Sequence, residues 1–312
     1  MKKAIIIGIK GQDGRYLEKL LCNNNYEIIG IGKDYIISNF SKSFKTVNIC
    51  DFSQLSNLIK LYKPDEIYFL AAHHHSSEDD ISDDLSLFND SFSINVNGIM
   101  NCLEGVKCYS NNSRIFYAAS HHVFGFGKQK FNNEKTPLNP ESIYGISKTA
   151  AVHLCKYYRN KYGLYVAIGY LYNHESPYRK DNYLSKKVIE TVKKIKKGEK
   201  HKLFIGDLKA KIDWGYAKDY VDAIHKIIQL ERPEDFIICS NNIESVSNYV
   251  KAVFSETGLN YKNYVVEKPT IIKKEKQKFI RGDCKKLKSM IDWDPKTNFK
   301  ELVRILINEE IL

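Results

Sequence analysis

Tyr144 and Lys148 stand four residues apart in YGISK, and Ser120 ends the run RIFYAAS. Residues four apart on a helix share one face. An ammonium beside a phenol favours the phenolate and lowers the phenol pKa. A phenolate so placed can remove a hydroxyl proton as hydride leaves the same carbon, and can return it in the reverse direction. Ser120 is the natural third member, donating a hydrogen bond to the reacting oxygen. A second group lies at the start of the chain, where Gly8, Gly11 and Gly14 fall in AIIIGIKGQDGRYLEKLL. Between a strand and a helix, the first glycine of such a run allows a tight turn. The second lets a pyrophosphate approach the backbone, and the third lets helix and strand pack closely. The helix N-terminus then offers free N–H groups and the positive end of its dipole to the phosphates. Proton, hydride and dinucleotide chemistry are thus encoded together, which predicts an enzyme that uses a nicotinamide dinucleotide.

These residues need a frame. Ala4, Ile5, Ile6 and Ile7 form an unbroken apolar run, the mark of a strand buried on both faces. Tyr16, Leu17, Leu20 and Leu21 follow at helical spacing. Strands are predicted near 3–9, 26–31, 45–48, 66–71, 114–119 and 164–170, alternating with helices. That alternation predicts an α/β, Rossmann-type doubly wound parallel sheet with the cofactor over the strand C-terminal ends. Residues 1–175 form the dinucleotide-binding domain, with about 209–240 returning to it. Residues 176–312 mainly build a smaller substrate-binding lobe.

The nucleotide type is set at the end of the second strand. An acid there binds the ribose 2′-hydroxyl of NAD and repels a 2′-phosphate. Here Gly32 and Lys33 take that place, which favours NADP; Asp34, one residue on, keeps NAD open. Asp51, in VNICDF, is placed to accept from the adenine amine, to cap a helix, or both.

With these residues in view, the chain resembles the extended short-chain dehydrogenase/reductases that modify nucleotide sugars, and most of all the GDP-mannose 4,6-dehydratases. The stretches that carry the likeness are GIKGQDGRYL, PDEIYFLAA, NVNG, YGISK, YNHESPYR and AKIDWGYAKDYVDAI, with WDPKTNFKELV near the C-terminus. The resemblance implies a tightly held NADP, reduced and reoxidised within one turnover, and oxidation at C4 of the sugar as the opening step. It assigns Ser120, Tyr144 and Lys148 to the active site. It assigns the cofactor to Gly8, Gly11, Gln12, Asp13, Gly14, Lys33, Asp51, Leu70, Ala71, Ala72, Tyr144, Lys148, Asn173, His174 and Arg179. For the nucleotide-sugar substrate it implies His74, His75, Asn173, Asn182, Lys187, Lys211 and Arg281. It also implies a homodimer or homotetramer, paired through a four-helix interface.

Three departures shape the expected reaction. Dehydratases of this family carry an acidic pair after the active-site Ser/Thr, and its Glu handles the C5 proton. This chain has His121 and His122 there, and histidine can serve as acid or base near neutral pH. Ile212 replaces an arginine that helps bind the nucleotide, and Lys273 and Lys274 replace an Arg-Pro pair. The expectation is a 4,6-dehydratase acting on a GDP-linked hexose or heptose. The alternatives are a 4-ketosugar reductase, an epimerase or a C4 dehydrogenase, and a non-catalytic cofactor sensor on the same scaffold. A further feature is AAHHHSSEDD, where His73–His75 precede Glu78, Asp79 and Asp80. Adjacent residues rarely face one ion and the catalysis needs none, so no metal is expected; His74 or His75 is expected at the sugar instead.

The 312 residues allow a large core. No run approaches the ~20 apolar residues that span a bilayer. Seven cysteines without CxxC spacing read as reduced thiols of a cytoplasmic protein. The net charge of +11 raises nucleic-acid binding. No nucleic-acid motif accompanies it, though, and the lysine-rich stretch at 186–202 has an apolar stripe (Val188, Ile189, Val192, Ile195) typical of a solvated helix face. No nucleic-acid or membrane partner is expected.

Overall fold

The computed structural model describes residues 1–33, 36–38, 46–74, 83–125, 130–272 and 279–308. Among them the central sheet has seven strands: β1 (Lys3–Ile7), β2 (Glu27–Ile31), β3 (Ile36–Ser38), β4 (Glu66–Phe69), β5 (Arg114–Ser120), β6 (Val166–Leu171) and β7 (Asp235–Ile238). Their spatial order is 7-6-5-4-1-2-3, and every neighbouring pair is parallel except the antiparallel β2–β3 edge. Strands β2, β4 and β6 are buried at every residue. The sheet is therefore covered on both faces, which is why its strands read as continuous apolar runs. The order reverses between β1 and β4, the switch point at which folds of this kind bind ligands beyond the strand C-terminal ends.

One predicted strand is absent. Of the stretch 45–48, residues 46–48 are irregular, and the edge position is held by β3 instead. The cause is local. The Asn48 side chain accepts from the Cys50 N–H (3.0 Å) and its own N–H donates to Gln54 Oε1 (3.0 Å). These bonds fold the backbone into a turn before α2 (Phe52–Tyr62), with which a sheet ladder cannot compete.

Helix α1 (Gln12–Asn23) buries Tyr16, Leu17 and Leu21 and packs against α7 (Ala217–Ile228). On the other side α2 packs on α4 (Gly98–Tyr109), and α4 on α5 (Ile143–Tyr162). Ser142 starts α5 by accepting from the Gly145 N–H at 3.1 Å, and Gly163 ends it at φ +67°. Between α3 (Asp84–Phe92) and α4 the chain makes a π-helical turn at Ser93–Asn97.

The C-terminal part is made of short ladders and helices. Leu203–Ile205 pairs with Val265–Glu267, and Lys211–Asp213 with Ile243–Ser245. Helix α6 (Leu184–Lys196) buries Val188, Ile189, Val192 and Ile195 and packs on α8 (Val246–Glu256). Trp214 stacks on Tyr249 at 4.2 Å to centre this second core. Helices α9 (Lys285–Ile291) and α10 (Phe299–Asn308) close the chain. Among the described residues no helix is long and apolar enough to cross a membrane.

Candidate active site

The glycine loop joins β1 to α1 at the switch point. Gly8 has φ +98°, and a Cβ there would lie 2.8 Å from the Ala71 nitrogen. A Cβ on Gly14 would lie 2.4 Å from the Gly8 carbonyl oxygen, so any side chain would force α1 off β1. Gly11 is the N-cap of α1, and no side chain caps that helix end. Its first-turn N–H groups and positive dipole end suit a pyrophosphate. Leu70, Ala71 and Ala72 form the opposing wall, with the Leu70 N–H donating to the Ile7 carbonyl at 2.9 Å. Lys33 is exposed at the end of β2. Asp51 caps α2, accepting from the Gln54 N–H at 3.2 Å and the Ser53 hydroxyl at 2.7 Å.

Two residues expected at the cofactor also bond within the protein. The Gln12 amide donates to the His174 carbonyl at 3.0 Å and accepts from the Ser176 hydroxyl at 3.0 Å. Asp13 lies 3.0 Å from His174 Nε2, while His174 Nδ1 lies 2.7 Å from the Tyr172 carbonyl. Both side chains thus bolt the phosphate loop to the segment after β6. Burial works against a charge on His174. The Asp13 carboxylate and the Tyr172 carbonyl outweigh it, and the imidazole pKa stands above its ordinary value.

The Ser120–Tyr144–Lys148 group sits where β5 ends and α5 begins, with Tyr144 9% and Lys148 1% exposed. Its electrostatics correct the expectation of a lowered phenol pKa. Burial pushes the Tyr144 pKa up, opposed chiefly by a hydrogen bond from Ser120. Burial also pushes the Lys148 ammonium down to about 7. Lys148 Nζ donates to the Ala118 carbonyl at 2.7 Å and rests 4.8 Å from the Tyr117 ring centre, so the protein itself supplies its partner.

Around the phenol stand aromatic groups from separate segments. The His74 ring is 4.5 Å away, edge-on, and the His122 ring 5.6 Å away. His121 lies deeper. It stacks on Tyr172 at 4.9 Å, and its Nε2 is 3.3 Å from Asn173 Oδ1. Burial drops its pKa to about 4, so the ring is neutral. The Arg179 guanidinium is close enough to favour the Tyr144 phenolate, and Arg179 Nε lies 3.4 Å from Glu175.

The remaining predicted substrate residues do not all converge. Lys187 lines a cavity of about 470 Å³ together with Asp181, Glu190, Thr191, Lys194, His201, Lys202, Leu203 and Phe204. Asn182 is exposed beside it, and Lys211 and Arg281 are exposed on separate short ladders. His75, Glu78, Asp79, Asp80, Asp34, Lys273 and Lys274 lie outside the described residues.

The comparisons with known proteins give this geometry its context. A sequence model of GDP-mannose 4,6 dehydratase matches residues 5–306. The chain belongs to the GDP-mannose 4,6 dehydratase family. It is 32% identical over 330 residues to GDP-mannose 4,6 dehydratase 1 of Arabidopsis thaliana, spanning 99% of this chain and 90% of that one. It is also 32% identical over 351 residues to the Homo sapiens GDP-mannose 4,6 dehydratase, spanning 99% and 91%. Among solved structures, dTDP-glucose 4,6-dehydratase of Bacillus anthracis, in complex with NAD, superposes with a TM-score of 0.82 at 22% identity, over 99% and 96% of the two chains. UDP-glucose 4-epimerase of Thermotoga maritima gives 0.82 at 21% identity, over 98% and 97%. Those two likenesses show the fold. Family membership makes the chain a nicotinamide-cofactor-dependent enzyme of nucleotide sugars.

The family's motifs have structural work that spacing alone did not reveal. In NVNG, the buried Asn95 accepts from the His73 N–H at 2.9 Å and donates to the Ser147 hydroxyl at 2.9 Å. That ties the loop after β4 to helix α5. In the KDYVDAI and WDPKT stretches, Asp219 accepts from the Lys296 and Thr297 N–H groups, at 3.1 and 2.9 Å, and Trp293 Nε1 donates to the Asp219 carbonyl at 3.0 Å. In KIDWG, the buried Asp213 accepts from the Ser240 N–H at 3.1 Å and the Asn241 N–H at 3.2 Å, and burial raises its pKa to about 6. Ile212 lies on the same ladder, opposite Glu244. Tyr172 and Tyr183, which line the site with the histidines, carry no sequence signal beyond being aromatic.

Proposed function

We propose that this protein is an NADP-dependent 4,6-dehydratase of a GDP-linked sugar that opens its reaction by oxidising C4. The observation that carries this reading is the buried Ser120–Tyr144–Lys148 group at the end of β5, in a sheet whose β1–β4 switch point carries an uncapped helix N-terminus. The residues present fit the dinucleotide. The Gly8–Gly14 loop and the α1 N-terminus take its pyrophosphate, Lys33 a 2′-phosphate, and Lys148 its ribose next to the nicotinamide. A bound oxidised nicotinamide would supply the hydride acceptor, and a positive charge there would favour the Tyr144 phenolate.

The protein's own residues do the rest. Ser120 orients the sugar C4 oxygen, and Tyr144 takes its proton. Arg179 offsets the negative charge that develops there. Lys187 and its neighbouring lysines in the lobe cavity neutralise the sugar-nucleotide diphosphate. A histidine of the cleft takes the role of the missing Glu at C5. His121 is held neutral between Tyr172 and Asn173, whereas His74 and His122 face the Tyr144 ring.

Purified protein incubated with GDP-mannose, a GDP-heptose and a panel of UDP-hexoses, with products read by mass spectrometry, tests this. Loss of one water from a GDP-sugar without added reductant is the expected outcome. Turnover confined to UDP-sugars, or a gain or loss of two hydrogens that depends on added NADPH or NADP, would overturn it in favour of an epimerase, reductase or dehydrogenase.

A further inference from the structure

We infer that His74 and Tyr183 form the second proton-transfer pair of this enzyme, with His74 the acid–base residue at C5 and Tyr183 the residue that positions it. The inference rests on the dehydratase reading above and names the group that serves its elimination step. His74 Nδ1 lies 2.6 Å from the Tyr183 hydroxyl, and the two rings are nearly parallel at 17°. The edge of His74 meets the Tyr144 ring at 4.5 Å, nearer than His122 at 5.6 Å. Tyr183 is near enough to Tyr144 that a charge on one disfavours a charge on the other.

The pair is held from both sides. The Arg179 guanidinium sits 4.1 Å from the Tyr183 ring centre, and Tyr183 is the N-cap of α6, its carbonyl accepting from the Lys187 N–H at 2.9 Å. Asn95 fixes the His73 backbone, one residue before His74, and reaches α5 through Ser147. The loop after β4 is therefore anchored to the helix that carries Tyr144. The His121 ring is engaged elsewhere, stacked on Tyr172 with Nε2 3.3 Å from Asn173 Oδ1.

The chemistry uses the tautomer of His74 that carries its proton on Nδ1. With Nδ1–H donating to the Tyr183 oxygen, Nε2 of neutral His74 carries a lone pair. Once C4 is a ketone, the C5–H is acidic and its proton passes to Nε2. The electrons left on C5 form the C5–C6 double bond as the C6–O bond breaks. The departing hydroxyl takes the proton from His74 and leaves as water, so His74 returns neutral and no co-reactant is consumed. Tyr183 holds the ring in place through Nδ1.

The test uses full-length protein with bound cofactor, the GDP-sugar that turns over, and deuterated solvent. Two quantities are followed in one turnover: absorbance of the reduced nicotinamide, and deuterium at C5 with loss of water by mass spectrometry. In His74→Asn the nicotinamide should still become reduced, while C5 exchange and water loss fall by ~10²-fold or more. Tyr183→Phe should lower the elimination rate ~10-fold or more with KM unchanged, a split that a loosened fold would not produce. His122→Asn guards against misassignment. If it abolishes C5 exchange while His74→Asn retains it, the inference is overturned. Wild-type protein that neither loses water from any sugar nucleotide nor reduces its nicotinamide with one would instead bring down the dehydratase reading itself.

Discussion

Two regions meet along the segment Tyr172–Ser176, and they treat buried polar groups in opposite ways. At the phosphate-loop junction each buried group meets a partner of matching character: Gln12 has His174 and Ser176, and His174 has Asp13 and the Tyr172 carbonyl. A few residues away, on the catalytic wall, burial is not offset. Tyr144 is pushed towards its neutral phenol, Lys148 down to about 7 and His121 to about 4. The same residue type is thus shifted in opposite directions across one short segment, because a carboxylate outweighs burial at His174 and only an amide oxygen opposes it at His121. The first region spends its polar groups on holding the frame, and the second keeps them displaced from their ordinary values, as reactive sites require.

The largest effect that separates the two comes from Tyr144→Phe. Turnover should fall by ~10³-fold or more, with cofactor binding intact and stability within about 1 kcal/mol of wild type. Nicotinamide reduction, cofactor titration and urea unfolding read the three quantities. A variant that turns over normally, or that unfolds, breaks the contrast between a reactive wall and a structural junction.

Next comes Asp13→Asn, which strands the buried His174. Stability should fall by about 3 kcal/mol, and cofactor affinity should fall with it as the loop loosens. The sign of the pH dependence is fixed by the raised His174 pKa. The pair's contribution is complete below the ordinary value of 6.5 and is lost as pH rises through the higher folded value. Urea midpoints across that range should therefore decline in the wild type and be flat in the variant.

The smallest effect sharpens the contrast from the other side. The folded pKa of His121 is near 4 against an ordinary 6.5, so the neutral ring's contribution is full above 6.5 and is lost as pH falls towards 4. His121→Gln keeps a group able to bond Asn173 and removes the proton. It should relieve acid destabilisation by on the order of 2 kcal/mol, seen as a urea midpoint at pH 5 closer to its neutral value. Unaltered acid sensitivity would mean that the ring is already protonated in the fold.

How much of this was legible in the residues depended on range. The glycine loop was legible because its constraints are backbone ones, fixed by Gly8 at φ +98° and by Gly14 against Gly8. The helix carrying Tyr144 was legible from its period. The predicted strand at 45–48 failed because hydrophobic pattern is silent on the Asn48 turn that competes with it. The family resemblance assigns Gln12 and Asp13 to the cofactor. That their side chains also bond His174 and Ser176, more than 160 residues away, no local rule foretells.

The sequence by itself therefore determined the parallel sheet, the phosphate loop, the spacing of Tyr144 and Lys148 and, through its motifs, the family. All of these follow from rules that act within a few residues: apolar runs, helical period and the freedom of glycine. Only the tertiary structure decided that His74 meets Tyr183 across 109 residues, that the His121 pKa is lowered while that of His174 is raised, and that the Tyr144 phenol is raised rather than lowered. Charge state and proton path depend on burial and on which groups packing brings within a few ångströms. Neither quantity exists until the chain has folded.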